Sequence, residues 1–343
     1  RLFLNKGNFQ FEDITKKAGV DQMQGWCTGA TMSDVNNDGK LDIYICRSAD
    51  INPDRRKNLL FINNGDLSFT EKAEEYGLAD NGYSTMASFL DYDKDGDLDC
   101  FIINHSIQKY TAGVQDNPEL RKERNPDYAS KLYRNDNNHF TNVSDQEGIF
   151  SNVLTFGLGV TVSDFNNDGF DDLITGSTYY SPSGRVNIFY GSASGIAPQS
   201  TPGNVNILGE GAAGGEFGNS LTAADLNGDG FTDLVVSAYV FPPTSTGKVY
   251  VFYNSGGGIP SGTANVIASR MYSGENTSNN FGIVSRYADT NGDGYAELWI
   301  SSANFSANQG KLYQYKGNNG LPVSPSSTIL GIAGTESFGG SVH

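Results

Sequence analysis

Phe217-Gly-Asn-Ser-Leu-Thr-Ala-Ala-Asp225-Leu-Asn227-Gly-Asp229-Gly230-Phe-Thr-Asp233 is the most informative stretch of this chain. Its second half places oxygen-bearing side chains at positions 1, 3, 5 and 9 of a loop, with glycine at position 6. Alternate side chains of such a loop converge on one point, position 7 can offer its backbone carbonyl, and glycine permits the sharp turn. The stretch therefore predicts a strand followed by a short loop that wraps a hard cation.

The same acidic loop occurs five times in the chain. A single copy could be a polar turn, but five copies at the same place of a repeat indicate calcium, with about five ions. Magnesium fits less well because it resists dehydration and prefers fewer carboxylates. The residues expected to coordinate, with position 7 acting through its carbonyl, are Asp34, Asn36, Asp38, Lys40 and Asp42; Asp91, Asp93, Asp95, Asp97 and Asp99; Asp164, Asn166, Asp168, Phe170 and Asp172; Asp225, Asn227, Asp229, Phe231 and Asp233; Asp289, Asn291, Asp293, Tyr295 and Glu297.

The five loops differ in charge and in ligand length. The second loop is the most anionic, since Asp97 adds a carboxylate between its ligands, and we expect it to bind most tightly. The fifth loop ends in Glu297, which reaches farther than aspartate, so we expect this loop to differ most from the others.

A repeat surrounds each loop. An aromatic residue stands eight positions before each loop and is followed by small residues, which is typical of a strand that crowds a common axis. A second apolar strand follows the loop, then a third and a weaker fourth. Four antiparallel strands per unit predict an all-β chain built as a β-propeller, with 1–343 as one domain. The five complete repeats start at the aromatic residues Trp26, Tyr83, Phe156, Phe217 and Phe281.

A sixth blade signal is divided between the two ends of the sequence. Phe338-Gly-Gly-Ser-Val-His343 resembles the start of a repeat, and Arg1-Leu-Phe-Leu-Asn5 with Phe9 to Ile14 resembles strands three and four. We therefore expect residues 1–15 and 336–343 to form complementary parts of one blade. The sequence leaves two arrangements open: a closed ring of six blades, or a fragment of a larger, seven-bladed ring.

These motifs resemble the FG-GAP repeats of the integrin α-subunit propeller and its bacterial relatives. The Phe-Gly strand followed by Asp-x-Asp/Asn-x-Asp-Gly-x-x-Asp carries the resemblance, with Trp26 and Tyr83 as departures from phenylalanine. Residues 1 to about 176 look closer to bacterial repeat proteins related to cartilage acidic protein. The resemblance implies a calcium-binding module for recognition or adhesion, placed outside the cytoplasm: extracellular, at the cell surface or periplasmic.

Composition narrows the choice of partners. The net charge of −16 argues against nucleic acid, and much of this charge lies in the five loops, where cations would cancel it. No apolar run approaches the roughly 20 residues of a membrane span. The three cysteines, Cys27, Cys46 and Cys100, do not make a disulfide framework, and we expect buried free thiols.

The connections opposite the acidic loops could bind a ligand, because binding residues are concentrated in loops. Two connections stand out, residues 47–57 and the long insertion at about 104–130. Their basic and aromatic residues suggest a patch for an anionic glycan or an acidic protein surface, although a solvated insertion without a ligand is an equal alternative. The candidate ligand-binding residues are Arg55, Arg56, Lys57, Tyr110, Arg121, Lys122 and Arg124.

Signals for catalysis are weak. The sequence has no nucleophile elbow, zinc-protease motif or phosphate loop. His105, near Tyr110 and Arg121, could abstract a proton from a uronic acid, but a lone histidine at a strand end is more often structural. We therefore predict a non-catalytic recognition module. A polysaccharide lyase and a purely structural part of a larger surface assembly are the alternatives.

Overall fold

The computed structural model describes residues 1–7, 10–21, 25–107, 119, 122–149, 157–178, 183–196, 205–211, 215–240, 246–275, 280–317, 320–332 and 338. The described residues form two compact units, one ending at residue 149 and the other beginning at residue 157. The chain is an all-β protein of the β-propeller class, as predicted. Within the described ranges, no helix is long and apolar enough to cross a membrane.

The first unit contains a two-stranded hairpin and two four-stranded antiparallel sheets, which we name the first and second blades. In each blade the strands pair in chain order. The hairpin comprises β1 (Phe3–Asn5) and β2 (Phe11–Asp13); the first blade comprises β3 (Trp26–Ser33), β4 (Asp42–Ser48), β5 (Leu59–Asn63) and β6 (Phe69–Glu71); the second comprises β7 (Ser84–Leu90), β8 (Asp99–Asn104), β9 (Lys131–Asn135) and β10 (Phe140–Asn142). One-turn helices α1 (Pro53–Arg56) and α2 (Ala73–Tyr76) lie in the connections.

The second unit contains three further sheets, the third to fifth blades. The third blade gains a short parallel strand, β18 (Gly262–Thr263), at its outer edge beside β14 (Val205–Leu208). The strands are β11 (Gly157–Ser163), β12 (Asp172–Ser177), β13 (Arg185–Phe189) and β14 (Val205–Leu208) in the third blade; β15 (Leu221–Ala224), β16 (Asp233–Ala238), β17 (Lys248–Phe252) and, after β18 (Gly262–Thr263), β19 (Arg270–Ser273) in the fourth; and β20 (Phe281–Ala288), β21 (Glu297–Ser302), β22 (Lys311–Tyr315) and β23 (Ser327–Leu330) in the fifth. The helices are α3 (Ala264–Ile267) and α4 (Phe305–Asn308).

The described residues form five complete blades, where the sequence shows six signals. The β1–β2 hairpin is a half blade, because it repeats the contacts of a strand-three to strand-four hairpin. Asn5 Oδ1 accepts the Gly7 N–H at 2.8 Å, as Asn63 Oδ1 accepts the Gly65 N–H at 2.9 Å in the first blade. The strand predicted after Phe338 lies outside the described residues.

The aromatic residue that opens each repeat is a core anchor in most blades. Phe217 and Phe281 are each 1% exposed, and their rings meet Tyr250 and Tyr313 edge to face at 5.3 and 5.1 Å. Trp26, in contrast, is 69% exposed, so this side chain is not part of the core. Among the described residues, no glycine of a neighbouring blade approaches the backbone of Trp26 as Gly184 and Gly247 approach Phe217 and Phe281.

Glycines before strand three bring neighbouring blades together. Gly184 bridges Phe217 of the following blade, and Gly310 bridges Phe338 in the same way. A Cβ added to Gly247 would lie 2.0 Å from the carbonyl oxygen of Phe281. This approach of two backbones explains why each repeat of the second unit enters strand three through glycine.

The cysteines are free thiols. Cys46 and Cys100 are buried as predicted, whereas Cys27 is exposed, so that part of the prediction is wrong. Burial raises the pKa of Cys100 and Cys46, because the thiolate would lose its hydration.

Replacing the interblade glycine should destabilise the protein strongly. In Gly247→Ala the added methyl group meets the Phe281 carbonyl, and the residue also keeps φ at +77°, so we expect a loss of about 2–5 kcal/mol. Gly257→Ala is the matched control: it has no atom within 4 Å of the new Cβ, and its effect should stay within about 0.5 kcal/mol. Equal unfolding midpoints in urea for the two variants would contradict the proposed contact.

Candidate metal centres

The backbone of all five acidic loops has the same two left-handed residues. The glycine at position 6 has φ between +82° and +93° in every loop, as predicted from the sharp turn that glycine permits there. Position 4 is also left-handed, which sequence reasoning missed. The signal was available, since this position is asparagine, glycine or, once, lysine: Asn37 (+57°), Lys94 (+61°), Asn167 (+59°), Gly228 (+77°) and Gly292 (+75°).

The position-1 aspartate closes each loop through backbone N–H groups. In the first loop Asp34 Oδ2 accepts the Gly39 N–H at 2.7 Å, and Oδ1 accepts the Asp38 N–H at 2.9 Å. The corresponding bond from the position-6 glycine is 2.7–3.2 Å long in all five loops. The loops are thus folded around their carboxylates by local hydrogen bonds.

The position-9 aspartate has a second, structural task. Asp233 is fully buried, and its Oδ2 and Oδ1 accept the N–H groups of Leu226 and Asn254, both at 2.9 Å. One carboxylate therefore joins loop position 2 to the residue that follows strand three. Asp42, Asp99 and Asp172 are equally buried and make the same pair of bonds with Val35 and Asn63, Tyr92 and Asn135, and Phe165 and Gly191.

Burial also changes the acidity of these position-9 carboxyls. Burial, together with nearby loop carboxylates, raises the pKa of Asp99 to about 8, of Asp172 to about 7 and of Asp233 to about 6. The pKa of Asp42 is raised for the same reasons. A cation that coordinates such a carboxylate would therefore displace a proton near neutral pH.

The second loop brings three acidic side chains close together. Oxygens of Asp91, Asp93 and Asp99 lie within 4.8 Å of one another, the one such acidic group among the described residues. Asp93 Oδ1 is buried and accepts no hydrogen bond. A buried carboxylate oxygen without a donor is costly, and a hard cation ligated by oxygens supplies the missing partner. The donor set of this loop therefore fits a divalent cation.

The fifth loop departs from the others at its last position. Glu297 Oε2 accepts the Thr290 N–H at 2.8 Å, and Oε1 accepts Asn291 Nδ2 at 2.9 Å. The longer side chain folds back onto positions 2 and 3 of its own loop. The N–H of Lys316, after strand three, is bonded instead to Ser326 Oγ.

The side chains at position 7 do not point to a shared centre. Each contacts the turn between strands three and four of its own blade, and the Tyr295 ring also lies against Gly228 of the fourth loop, so the backbone carbonyls are the expected ligands at this position. Asp97 Oδ2 accepts the Asn137 N–H at 3.2 Å. A Cβ built on the turn glycine would lie 2.6–3.1 Å from the other four: Lys40 at Gly65, Phe170 at Gly191, Phe231 at Gly256 and Tyr295 at Gly317.

The basic connection of the first blade is largely engaged within the protein. Arg56 is 2% exposed, its guanidinium lies 4.0 Å from the Tyr83 ring centroid, and Nη2 donates to Asp127 at 3.1 Å. Lys57 donates to Glu74 at 2.7 Å. Arg55 lies 3.6 Å from Asp50 and keeps 61% of its side chain exposed. Of the three predicted ligand-binding residues here, Arg56 is thus an internal anchor.

The long insertion contributes fewer observable residues. Tyr110 and Arg121 lie outside the described residues. Lys122 pairs with Glu119 at 3.1 Å, and Arg124 pairs with Asp145. His105 Nδ1 lies 2.8 Å from the Ser106 carbonyl oxygen, and burial lowers the pKa of its imidazole. His105 is therefore a neutral, hydrogen-bonded side chain near neutral pH.

Comparison with known proteins identifies the repeat. A family model for the FG-GAP repeat matches residues 156–189 and 217–252. The chain is 34% identical over 174 residues to phosphatidylinositol-glycan-specific phospholipase D of Mus musculus, covering 48% of this chain and 20% of that protein. It is 36% identical over 110 residues to integrin alpha-3 of Cricetulus griseus (30% and 10% covered) and 30% identical over 186 residues to integrin alpha-5 of Xenopus laevis (52% and 17%). The matches thus span at most a fifth of these relatives.

Exchanging the position-9 carboxylate should destabilise the protein even without metal. In chelator at pH 5, where its raised pKa keeps the carboxyl largely uncharged, Asp233→Ala leaves the N–H groups of Leu226 and Asn254 without their buried acceptor, so we expect a loss of about 1–3 kcal/mol. Asp229→Asn, at the exposed position 5, should stay within about 0.5 kcal/mol under the same conditions. Denaturant unfolding measures both. Equal stability of the two variants in chelator would show that the buried bonds of Asp233 are unimportant.

Proposed function

We propose that this chain, an FG-GAP repeat β-propeller, is a calcium-stabilised recognition module that works outside the cytoplasm. The five loops hold calcium through the oxygens at positions 1, 3, 5 and 9 and the carbonyl at position 7. The main support for a bound cation comes from the second loop, where three acidic side chains converge and Asp93 Oδ1 is buried without a hydrogen-bond donor. Calcium suits such loops better than magnesium, because it accepts many carboxylate ligands in flexible geometry.

Calcium in these loops is expected to stabilise the blades. Each loop joins strands one and two, and in the first four loops the position-9 carboxylate is also bonded to the end of strand three. Neutralising several carboxylates at this point removes their mutual repulsion and fixes three strands together. Extracellular calcium, at millimolar concentration, would fill loops of moderate affinity, which supports a location outside the cytoplasm.

The recognition part of the proposal concerns the connections at the other end of each sheet. Integrin alpha-3 and integrin alpha-5 are among the proteins that this chain resembles, which supports adhesion to a protein or glycan. Arg55 and Arg124 keep more than half of their side chains exposed even though each has an acidic neighbour. An anionic ligand could compete for these exposed pairs, since surface ion pairs are weak.

An enzymatic role is the second candidate. It is supported by the relative named phosphatidylinositol-glycan-specific phospholipase D and by the neutral imidazole of His105, which is the protonation state of a general base. A lyase that acts on a uronic-acid polysaccharide would use this group.

Removing calcium should lower the melting temperature. At a free calcium concentration about 100 times the dissociation constant, each occupied loop adds about 2.7 kcal/mol to the free energy of unfolding. We expect the melting temperature to fall on addition of chelator, and titration calorimetry to count about five sites. An unchanged melt, on protein shown by elemental analysis to be metal-loaded, would refute the stabilising role.

The calcium effect should grow with pH. The raised pKa values of Asp99, Asp172 and Asp233 mean that the metal-free folded state holds protons which the unfolded state loses near pH 4. Its stability should therefore fall as pH rises from about 4 to about 8. Calcium takes the place of these protons, so the difference in melting temperature between calcium and chelator should widen over the same window. A difference that is constant from pH 5 to pH 8 would exclude this proton–calcium exchange.

A glycan array with an assay for unsaturated products separates recognition from catalysis. We expect binding to anionic glycans without turnover, weakened severalfold by Arg55→Glu and unchanged by the control Lys6→Glu, which makes the same charge change at the turn of the β1–β2 hairpin. Product formation that is abolished by His105→Ala would replace recognition with the lyase. Neither binding nor product, on both glycan and protein arrays, would favour a purely structural part of a larger assembly.

A further inference from the structure

Asn254 occupies an unusual position between two acidic loops of the second unit. It follows strand β17 of the fourth blade and is 2% exposed. Its backbone N–H donates to Asp233 Oδ1 of the fourth loop at 2.9 Å. Its side-chain Nδ2 donates to the carbonyl oxygen of Phe165, at position 2 of the third loop, at 2.6 Å. A single buried residue thus contacts two candidate metal centres.

The orientation of the Asn254 amide follows from its surroundings. The N–H groups of Gly256 and Gly258 both donate to Oδ1, each at 3.1 Å. Two donors on Oδ1 leave Nδ2 facing the Phe165 carbonyl, where an inverted amide would lose all three bonds. The link to the third loop is therefore set by the turn of the fourth blade.

The hydrogen bonds continue to the far side of Phe165. The Phe165 N–H donates to Asp172 Oδ2, the position-9 carboxylate of the third loop, at 2.7 Å. A path therefore runs from Asp172 through the backbone N–H and C=O of Phe165 and through Asn254 to Asp233. Both ends of the path are expected calcium ligands, and Asp172, Phe165, Asp233 and Asn254 are all at most 2% exposed.

The first two blades provide a natural comparison. Asn63 occupies the equivalent place in the first blade and donates its N–H to Asp42 Oδ1 at 2.8 Å. Its Nδ2, however, donates to the Leu41 carbonyl of its own hairpin at 3.0 Å. Asn135 likewise donates to the Leu98 carbonyl of its own hairpin. The same residue type thus serves one loop in the first unit and two loops at Asn254.

We infer that Asn254 is a positioning residue that couples calcium binding in the third and fourth loops. This inference rests on the proposed calcium binding and adds cooperativity to it. A cation in the fourth loop fixes Asp233 and with it Asn254, which in turn orders the Phe165 peptide and Asp172. The second cation then binds to a loop that is already ordered. Less conformational entropy is lost in this step, so the second cation binds more tightly.

Calcium titration of the isotope-labelled full chain tests the coupling. The amide signals of Gly169 and Gly230, the position-6 glycines, report on the third and fourth loops separately. Asp229→Ala disables the fourth loop and should raise the dissociation constant of the third at least about fivefold, the lower end of usual coupling. Asp168→Ala should weaken the fourth loop by the same factor, because coupling is reciprocal.

The role of Asn254 is measured in a double-mutant cycle. In the Asn254→Ala background, Asp229→Ala should leave the third loop's dissociation constant unchanged. If Asn254→Ala does not fold, Asn254→Asp takes its place, since it keeps an acceptor for Gly256 and Gly258 and sets an oxygen in place of the donor opposite the Phe165 carbonyl; its added charge is present in both arms of the cycle and cancels. The matched control Asn63→Ala should alter the first loop alone and leave the factor between the third and fourth loops intact.

Three outcomes are distinct. Coupling that disappears with Asn254 supports the inference. Calcium-dependent shifts at both glycines with no effect of Asp229→Ala on the third loop overturn the inference but leave the proposed function standing. The absence of any calcium-dependent shift at Gly169 or Gly230 overturns the proposed function in these loops and the inference with it.

Discussion

A buried carboxylate that is satisfied by two backbone N–H groups is the interaction on which the rest of this structure depends. Asp42, Asp99, Asp172 and Asp233 each stand at the first residue of strand two, with no exposure to solvent. A charge in that position is tolerated only if its oxygens find donors. The donors come from the start of the acidic loop and from the end of strand three or just beyond it, so the same bonds that satisfy the charge also fix three parts of the blade.

The same constraint links stability to metal chemistry. Because the carboxylates are buried and lie near further carboxylates, their pKa values rise toward neutrality in the absence of a cation. Coordination is the natural way to keep them ionised. Under the proposed calcium binding, the blade end that carries the loops holds the cations, while the connections at the opposite end are free to vary in length and composition. This difference between the two ends of each blade supports the proposal that the connections bind a ligand and that the loops stabilise the blades.

Much of the fold could be predicted from the sequence, because each blade follows from short sequence patterns that repeat along the chain. The position-6 glycines and the strand that follows each loop were predicted and are confirmed. The position-4 left-handed residues were missed, although asparagine and glycine there were a usable signal. Arg56 was expected in an exposed patch and is instead stacked on Tyr83 and paired with Asp127, 71 residues away, a contact that no local pattern reveals.

The sequence by itself determined the repeat, the four-stranded blade and the residues of each acidic loop, because spacing within about ten residues is enough to set turns, alternation and ligand convergence. Only the tertiary structure decided which carboxylates are buried, which basic side chains are consumed by internal pairs, and that Asn254 serves two loops while Asn63 serves one. These features depend on contacts between residues far apart in the chain. The same residue type at the same repeat position therefore acquires different partners according to the blade packed beside it.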